Sequence, residues 1–401
     1  MKAVIYGVGK NFCKYKSEIY SNYEVVALCD SSSAKQGTIV NGLEVLNLSQ
    51  MTLVVYDRII VTVTLTDFKI KELLSEFEAF GIDVSKVYFT ERGREFIEYF
   101  DDLLCEQYSA EEGITGVPGY MTDFQGIKNS LIDLPFIPKD RDGKVVSYRD
   151  KEALDFNAGQ REYVGLLMAV EEAADMFTMF EFGAGWGPFM SAAAFACKKK
   201  GVGKIDVNGV EGERNKIPLM KRHLTVNGLR PETDELFTLY GNVSVKIFNN
   251  VVAVTNEIFE FPLVEEEHYG ASLLQDFSEW TKDRIMMIEG ITPEILFADY
   301  MIIDFVHIDI QGYEKILLND ESVLNLFSQK VKYITIGTHS REDEVVLIKN
   351  LYNAGFYLLR EEGCVMSTKR ELPENLVDMT IIDGVQVWRN SKYATNMWEA
   401  L

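Results

Sequence analysis

The chain has 401 residues, 47% of them hydrophobic and 25% charged, with 40 Lys and Arg against 62 Asp and Glu for a formal net charge of −22. That composition supplies core material for two or three globular domains and excludes disordered, collagen-like and fibrous chains. The negative field argues against a nucleic-acid partner held through its phosphates, because a long polyanion would be repelled, whereas a small anion in one local basic pocket escapes that argument.

No apolar run approaches the ~18 residues of a membrane helix, and Met1 to Gly7 lacks signal-peptide character, so a soluble, cytoplasmic protein with no membrane partner is expected. The five cysteines, Cys13, Cys29, Cys105, Cys197 and Cys364, are scattered and contain no Cys-x-x-Cys. A disulfide framework or a thiolate zinc site is therefore not expected.

In chain order, Lys2 to Tyr6 is a short apolar strand running into Gly7-Val8-Gly9. A helical stretch leads to a second strand, Tyr23 to Cys29, that ends in Asp30. Arg58 to Val63 is rich in β-branched residues and reads as a buried parallel strand. The helical period over 66–80 stops at Gly81, and Val84 to Tyr88 supplies a further strand. Strands alternating with helices predict a parallel sheet, here a small Rossmann-like α/β domain over 1–104 that includes an amphipathic helix at 90–104. Regularity falls away over 105–155, where Gly113, Gly116, Pro118, Gly119, Pro135 and Pro138 mark a connector.

The alternation resumes over 156–401. A helix at 159–176 precedes a strand at 177–182, a glycine-rich turn, a helix at 188–199, a strand at 205–211 and a helix at 213–227. Farther on come a strand at 301–310, a helical stretch at 313–327, a strand at 331–336 and a helix at 342–354. Two late strands, near 356–360 and 378–389, predict an antiparallel end to this second sheet.

The strongest chemical signal is Glu181-Phe182-Gly183-Ala184-Gly185-Trp186-Gly187-Pro188-Phe189, which follows a strand and opens a helix. Glycines at alternate positions let the backbone approach a ligand closely, although a tight strand-to-helix turn alone would also account for them. Glu211 ends the next strand, 24 residues after Gly187, near the spacing of an acid that accepts hydrogen bonds from a ribose diol. The turn begins with a carboxylate and lacks Gly-x-Gly-x-x-Gly spacing. A pyrophosphate would be repelled there, whereas a ligand carrying an ammonium and no phosphate would be suited; S-adenosylmethionine is such a ligand.

Glu181 to Gly187, Val210-Glu211, the segment Pro218 to Gly228 and His307-Ile308-Asp309-Ile310-Gln311-Gly312-Tyr313-Glu314 together resemble the FkbM-type class I methyltransferases, over about residues 158–390. The resemblance implies a class I methyltransferase Rossmann-like sheet and methyl transfer from S-adenosyl-L-methionine, usually to an oxygen. Carried over by motif, it places Glu181, Gly183, Ala184, Gly185 and Gly187 against the methionine part and Glu211 on the ribose. Residues around Gly241-Asn242-Val243 would lie near the adenine. Ile336-Gly337-Thr338-His339-Ser340 departs from the family's usual form, in which a glutamate often ends this strand.

Methyl transfer from a sulfonium needs alignment of the acceptor and removal of its proton. Asp309 and His339 end consecutive predicted strands and form the candidate catalytic pair, with His339 as base and Asp309 orienting it or the acceptor. The same carboxylate and imidazole could ligate one divalent metal ion with open positions. His307 reads as a packed or hydrogen-bonded histidine, His223 as part of a solvated face, and Trp186 as packing. Glu265 to Gly270 reads equally as a solvated loop or as a lid in which His268 and Tyr269 touch the acceptor. Gln160 and Glu162 are candidates to reach the same pocket.

In the first domain, Gly7, Gly9 and Asp30 follow the layout of a nucleotide site, with Phe12 standing where a third glycine would be. NAD(P)-dependent oxidoreductase activity, or nucleotide-sugar binding, is the competing function there. A structural or dimerising role is the alternative, which makes a homodimer one expected assembly. The expected substrate is a sugar, glycan or other polar small molecule that is O-methylated. A sensor or scaffold with a degenerate methyltransferase domain is the non-enzymatic alternative.

Overall fold

Apolar strands that alternate with one-faced helices can bury both faces of a sheet by parallel pairing with helical crossovers, and both halves of this chain do so. The computed structural model describes residues 1–63, 67–90, 94–111, 113–150, 159–229, 237–263, 271–274, 276–278, 280–367 and 379–393. The chain forms two units, Met1–Leu103 and Leu104–Ala394.

In the first unit, β1 (Lys2–Tyr6), α1 (Lys10–Asn22), β2 (Glu24–Cys29), β3 (Ile39–Val40), β4 (Leu43–Leu46), α2 (Leu48–Met51), β5 (Arg58–Val61), α3 (Asp67–Ala79) and β6 (Val87–Phe89) follow in order. The sheet runs β3-β4-β2-β1-β5-β6 and is parallel except for the β3–β4 hairpin. Successive residues of β1 enter opposite cores. Ala3 and Ile5 pack with Phe12 and Ile19 of α1, while Val4 and Tyr6 pack with Ile70 and Phe77 of α3. This is the expected Rossmann-like domain. Asp30, at the end of β2, accepts the backbone N–H of Val8 at 2.8 Å, that of Ser32 at 2.9 Å and Lys35 Nζ at 2.7 Å. The acid that reads as a ribose ligand thus closes its own glycine turn.

A helix, α4 (Arg94–Tyr108), carries the division between units. The stretch after it is packed: β7 (Tyr120–Thr122) and β8 (Lys128–Ser130) pair as an antiparallel hairpin, and Phe124, Ile127 and Tyr148 join the largest core of the second unit. Phe124 meets Tyr163 edge-on, with ring centroids 5.2 Å apart.

The rest of the second unit comprises α5 (Gln160–Glu171), β9 (Met176–Phe182), α6 (Pro188–Lys200), β10 (Lys204–Val210), α7 (Lys216–Val226), β11 (Phe237–Tyr240) and β12 (Val243–Phe248). Three strands of a smaller sheet follow, β13 (Val251–Val252), β14 (Ile258–Pro262) and β15 (Ile285–Ile291), and then α8 (Pro293–Leu296). The chain closes with β16 (Ile303–Ile308), α9 (Glu314–Leu317), α10 (Glu321–Lys330), β17 (Val331–Thr338), α11 (Arg341–Asn353), β18 (Phe356–Glu362), β19 (Val365–Met366), β20 (Thr380–Ile382) and β21 (Gly384–Asn390).

The large sheet runs β11-β12-β10-β9-β16-β17-β21-β18. From β12 to β17 it is parallel, and β21 is antiparallel to both neighbours. This is the expected doubly wound, Rossmann-like α/β sheet, with the antiparallel end foreseen from the late strands. The winding reverses between β9 and β16, and open α/β sheets bind ligands at the carboxyl ends of strands at such a point. Among the described residues no helix is long and apolar enough to cross a membrane.

Two sequence expectations are corrected. Gly241 and Asn242 precede β12, so Gly241-Asn242-Val243 sits at the amino end of that strand, away from the carboxyl ends where the glycine turn lies. The antiparallel β11 had hidden the strand's true start. His223 is buried within α7 rather than solvated, with Nε2 lacking a hydrogen-bond partner, and burial drives its pKa down to about 4. An unfolded histidine titrates near ~6.5, so between those values the unfolded chain binds the extra proton. The stability tied to a neutral His223 is therefore full above the unfolded pKa and lost as pH falls toward the folded one. His223→Leu is expected to reduce the stability lost between roughly pH 7 and pH 4.5 by up to ~3 kcal/mol in urea unfolding. An unchanged acid limb would contradict this.

Candidate functional site

At the end of β9 the chain enters a turn in which Gly183, Gly185 and Gly187 all have positive φ, at +77°, +53° and +76°. A Cβ on Gly183 would stand 1.8 Å from the carbonyl oxygen of Asp309. The absence of a side chain is what lets this turn lie against the end of β16. The Asp309 N–H in turn donates to the Phe182 carbonyl at 2.9 Å.

Glu181, buried at the end of β9, accepts the N–H groups of Phe189 at 3.2 Å and Met190 at 3.0 Å. These are first-turn donors of α6 that have no partner within the helix. Burial pushes its carboxyl up to about 8, against the lowering effects of His307 and the two N–H groups. Glu211, just after β10, accepts the Gly185 N–H at 2.7 Å on Oε2 and the Glu213 N–H at 2.6 Å on Oε1. Burial raises its pKa as well, partly offset by those N–H groups. Each Glu211 oxygen keeps a second lone pair, so the carboxylate that closes the turn can still receive a diol.

The turn opens on a cavity of about 350 Å³, within the usual size of a small-molecule site. Gly183, Ala184 and Gly185 line it together with Glu181, Glu211, Glu213 and Lys216. Asn250, Val251 and Val252, which follow β12, also line it, the two valines forming an apolar wall with Phe261 and Leu273. These residues occupy the position that the resemblance had assigned to Gly241-Asn242-Val243. Glu213 and Lys216, both buried, escaped the sequence reading; the acid pair flanking Gly212 was the available signal.

Asp309 also lines the cavity. Strands β16 and β17 are adjacent, and His339, one residue past β17, donates from Nε2 to Asp309 Oδ1 at 3.1 Å. Gln311 Nε2 donates to the same oxygen at 2.9 Å. His339 Nε2 lies 3.3 Å from Glu314 Oε1, and its Nδ1 lies 3.4 Å from Asp383 Oδ1. Burial alone would lower the His339 pKa, but these three carboxylates outweigh it and hold the imidazole well above its usual value. For Asp309, burial acts upward and His339 overrides it, leaving the carboxyl below its usual range. His339 is buried behind Asp309 and is not among the residues lining the cavity, so of the two expected arrangements the geometry fits the one in which Asp309 meets the acceptor, with the imidazole behind it. Gln311 holds a left-handed φ of +56°, a backbone state that non-glycine residues rarely adopt and that recurs at functional sites.

The remaining candidates separate. Glu162 lines the cavity and binds His307 Nε2 at 2.9 Å, while its other oxygen accepts the Gly159 N–H at the start of α5. His307 is packed, as its pattern suggested, stacking on Phe189 with ring centroids 3.8 Å apart, yet it also borders the cavity. Gln160 turns instead toward Cys105 Sγ, at 4.0 Å. Trp186 packs on Phe136, with centroids 5.5 Å apart, and both rings border the cavity. His268 and Tyr269 lie outside the described residues.

Residues 1–88 match the family described as C2185-like, N-terminal. A chain of Jannaschia sp. (strain CCS1) whose name proposes a methyltransferase is 28% identical over 286 residues, covering 69% of this chain and 95% of that one. Among solved structures, the precorrin-6y C5,15-methyltransferase of Geobacter metallireducens GS-15 is 12% identical with a TM-score of 0.30, covering 58% of this chain and 88% of its own. The ribosomal protein L11 methylase of Lactobacillus delbrueckii subsp. bulgaricus is 12% identical with a TM-score of 0.29, covering 63% and 88%. The fold of the second unit is defined by the strand order of its large sheet.

Gly183→Ala is expected to cost roughly 3 kcal/mol or more in denaturant unfolding, since backbone must move to admit the new carbon. Gly201 has a similar φ of +85° but open space around it, so Gly201→Ala should cost only ~1 kcal/mol. Equal costs would argue against the close approach of the turn to Asp309.

Proposed function

We propose that the second unit is an S-adenosyl-L-methionine-dependent methyltransferase that methylates a hydroxyl oxygen of a sugar, glycan or similar polar acceptor. The observation that carries this reading is the charge of the cavity. Glu162, Glu211, Glu213 and Asp309 line it against Lys216 and His307, and Glu181, its carboxyl pushed up to about 8, adds an acid that is largely protonated at neutral pH. Such a lining repels a dinucleotide pyrophosphate and favours a cationic ligand with a ribose. The relative whose name proposes a methyltransferase supports the same activity.

When bound, S-adenosyl-L-methionine supplies a methyl group activated on a sulfonium. The glycine turn admits the ligand close to the backbone, Glu211 receives the ribose diol, and Val251 and Val252 offer an apolar surface for a base. Asp309 accepts the hydrogen bond of the acceptor hydroxyl and takes its proton as the carbon–oxygen bond forms and the carbon–sulfur bond breaks. His339 is a positioning residue that fixes the Asp309 carboxylate. The acceptor class rests on the resemblance and on the chain's net negative charge, which suits a small polar acceptor better than a nucleic acid.

Calorimetric titration of the full chain with S-adenosylhomocysteine is expected to show one site per chain. Glu211→Ala should weaken it at least roughly tenfold through loss of two charge-assisted hydrogen bonds. Asp309→Asn should retain that binding and lower methyl transfer to a sugar acceptor panel by a factor on the order of 10² to 10⁴. Undiminished binding by the first variant overturns the donor assignment, and full turnover by the second overturns the role of Asp309.

A further inference from the structure

We infer that Asp309, Glu314 and His339 form a binding site for one divalent cation of oxygen and nitrogen preference, with Asp383 holding the imidazole from outside. The participation of such an ion in chemistry rests on the methyltransferase reading; its binding does not.

The first observation is Glu314, at the start of α9. Its side chain is fully buried, Oε1 accepts the Ile310 N–H at 2.6 Å, and Oε2 has no hydrogen-bond partner. An ionised carboxylate buried with one oxygen unsatisfied is costly unless a cation offsets it.

The second is the shape of the donor set. His339 Nε2 lies 3.1 Å from Asp309 Oδ1 and 3.3 Å from Glu314 Oε1, and all three donor atoms fall within 4.8 Å of one another. Ligands held at ~2.1 Å from one ion in near-octahedral geometry sit roughly 3 Å apart, so the two separations from His339 already match one face of an ion, and the two carboxylate oxygens complete that face with at most a small side-chain adjustment.

The third is charge. Asp309, Glu314 and Asp383 converge on one imidazole. A divalent cation offsets the charge of both Asp309 and Glu314 and takes His339 as a neutral ligand. The Nδ1–H then faces Asp383 at 3.4 Å, the carboxylate–histidine–metal arrangement that fixes a ligating ring. Because Asp309 is 37% exposed and lines the cavity, the ion would border the acceptor space. Two carboxylates and one imidazole favour Mn²⁺ or Mg²⁺ over thiolate-seeking metals.

Mn²⁺ is the probe. Titrated into chelator-treated full-length protein without donor, and followed by electron paramagnetic resonance of free Mn²⁺, it is expected to saturate one site per chain. Glu314→Gln and His339→Ala should remove that site. Asp383→Asn, at a side chain 62% exposed and therefore safe for folding, should weaken it roughly 10- to 100-fold. Wild-type affinity weaker than ~1 mM overturns the inference, as does unchanged affinity in Asp383→Asn and Glu314→Gln. S-adenosylhomocysteine titration of the same samples separates the two readings. Donor binding without Mn²⁺ binding sinks the cation site alone, and Mn²⁺ binding without donor binding supports it while sinking the methyltransferase reading.

Discussion

The second unit's site depends on the approach of a backbone turn to a strand end, Gly183 against the Asp309 carbonyl, at a separation that leaves no room for a β-carbon. That contact joins β9 to β16, the two strands between which the winding reverses. Through it, the turn suited to a nucleoside ligand and the carboxylate suited to an acceptor occupy one cavity. The Phe182 carbonyl to Asp309 N–H bond locks the same junction from the other direction.

Around this junction the protein tolerates an uncommon density of buried acid, and each carboxylate has a local reason to be there. Glu181 satisfies the first donors of α6, Glu211 clamps Gly185, and Asp309 is held by His339. The balance of burial against partners sets the direction: burial pushes Glu181 up despite His307 and two backbone N–H groups, while the contact with His339 holds Asp309 low. The same carboxylates therefore serve as scaffold and as the electrostatic character of the cavity. Removing Glu181 or Glu211 would disturb the turn and the helix it opens, whereas removing the Asp309 carboxylate would change the charge at the cavity wall.

Much of this was legible. The strand Phe177 to Phe182, the alternating glycines and the acid after β10 announced their places in the fold because strand period, glycine permissiveness and spacing are local properties of the chain. Asp309 and His339 could be paired because consecutive strands in such a fold often neighbour one another. The order within the pair was not legible, because it depends on Glu314 and Asp383 arriving from elsewhere to hold the imidazole. His223 misled for a similar reason: it sits beside Lys221 and Arg222 in sequence, but α7 turns its ring inward. The 105–150 stretch, full of turn residues, proved to be packed, since glycine and proline report where a chain bends and not whether it is buried.

By itself, then, the amino-acid sequence determined two α/β units, the glycine turn, the ribose-type acid and the pair at the ends of β16 and β17. These follow from interactions among residues close in the chain, whose periodicity and spacing are written directly. Only the tertiary structure decided that Asp309 faces the cavity with His339 behind it, where β12 begins, and that Glu213, Lys216 and Glu314 belong to or border the same site. Those outcomes turn on desolvation and charge at points where segments far apart in sequence converge, and no local pattern records that convergence.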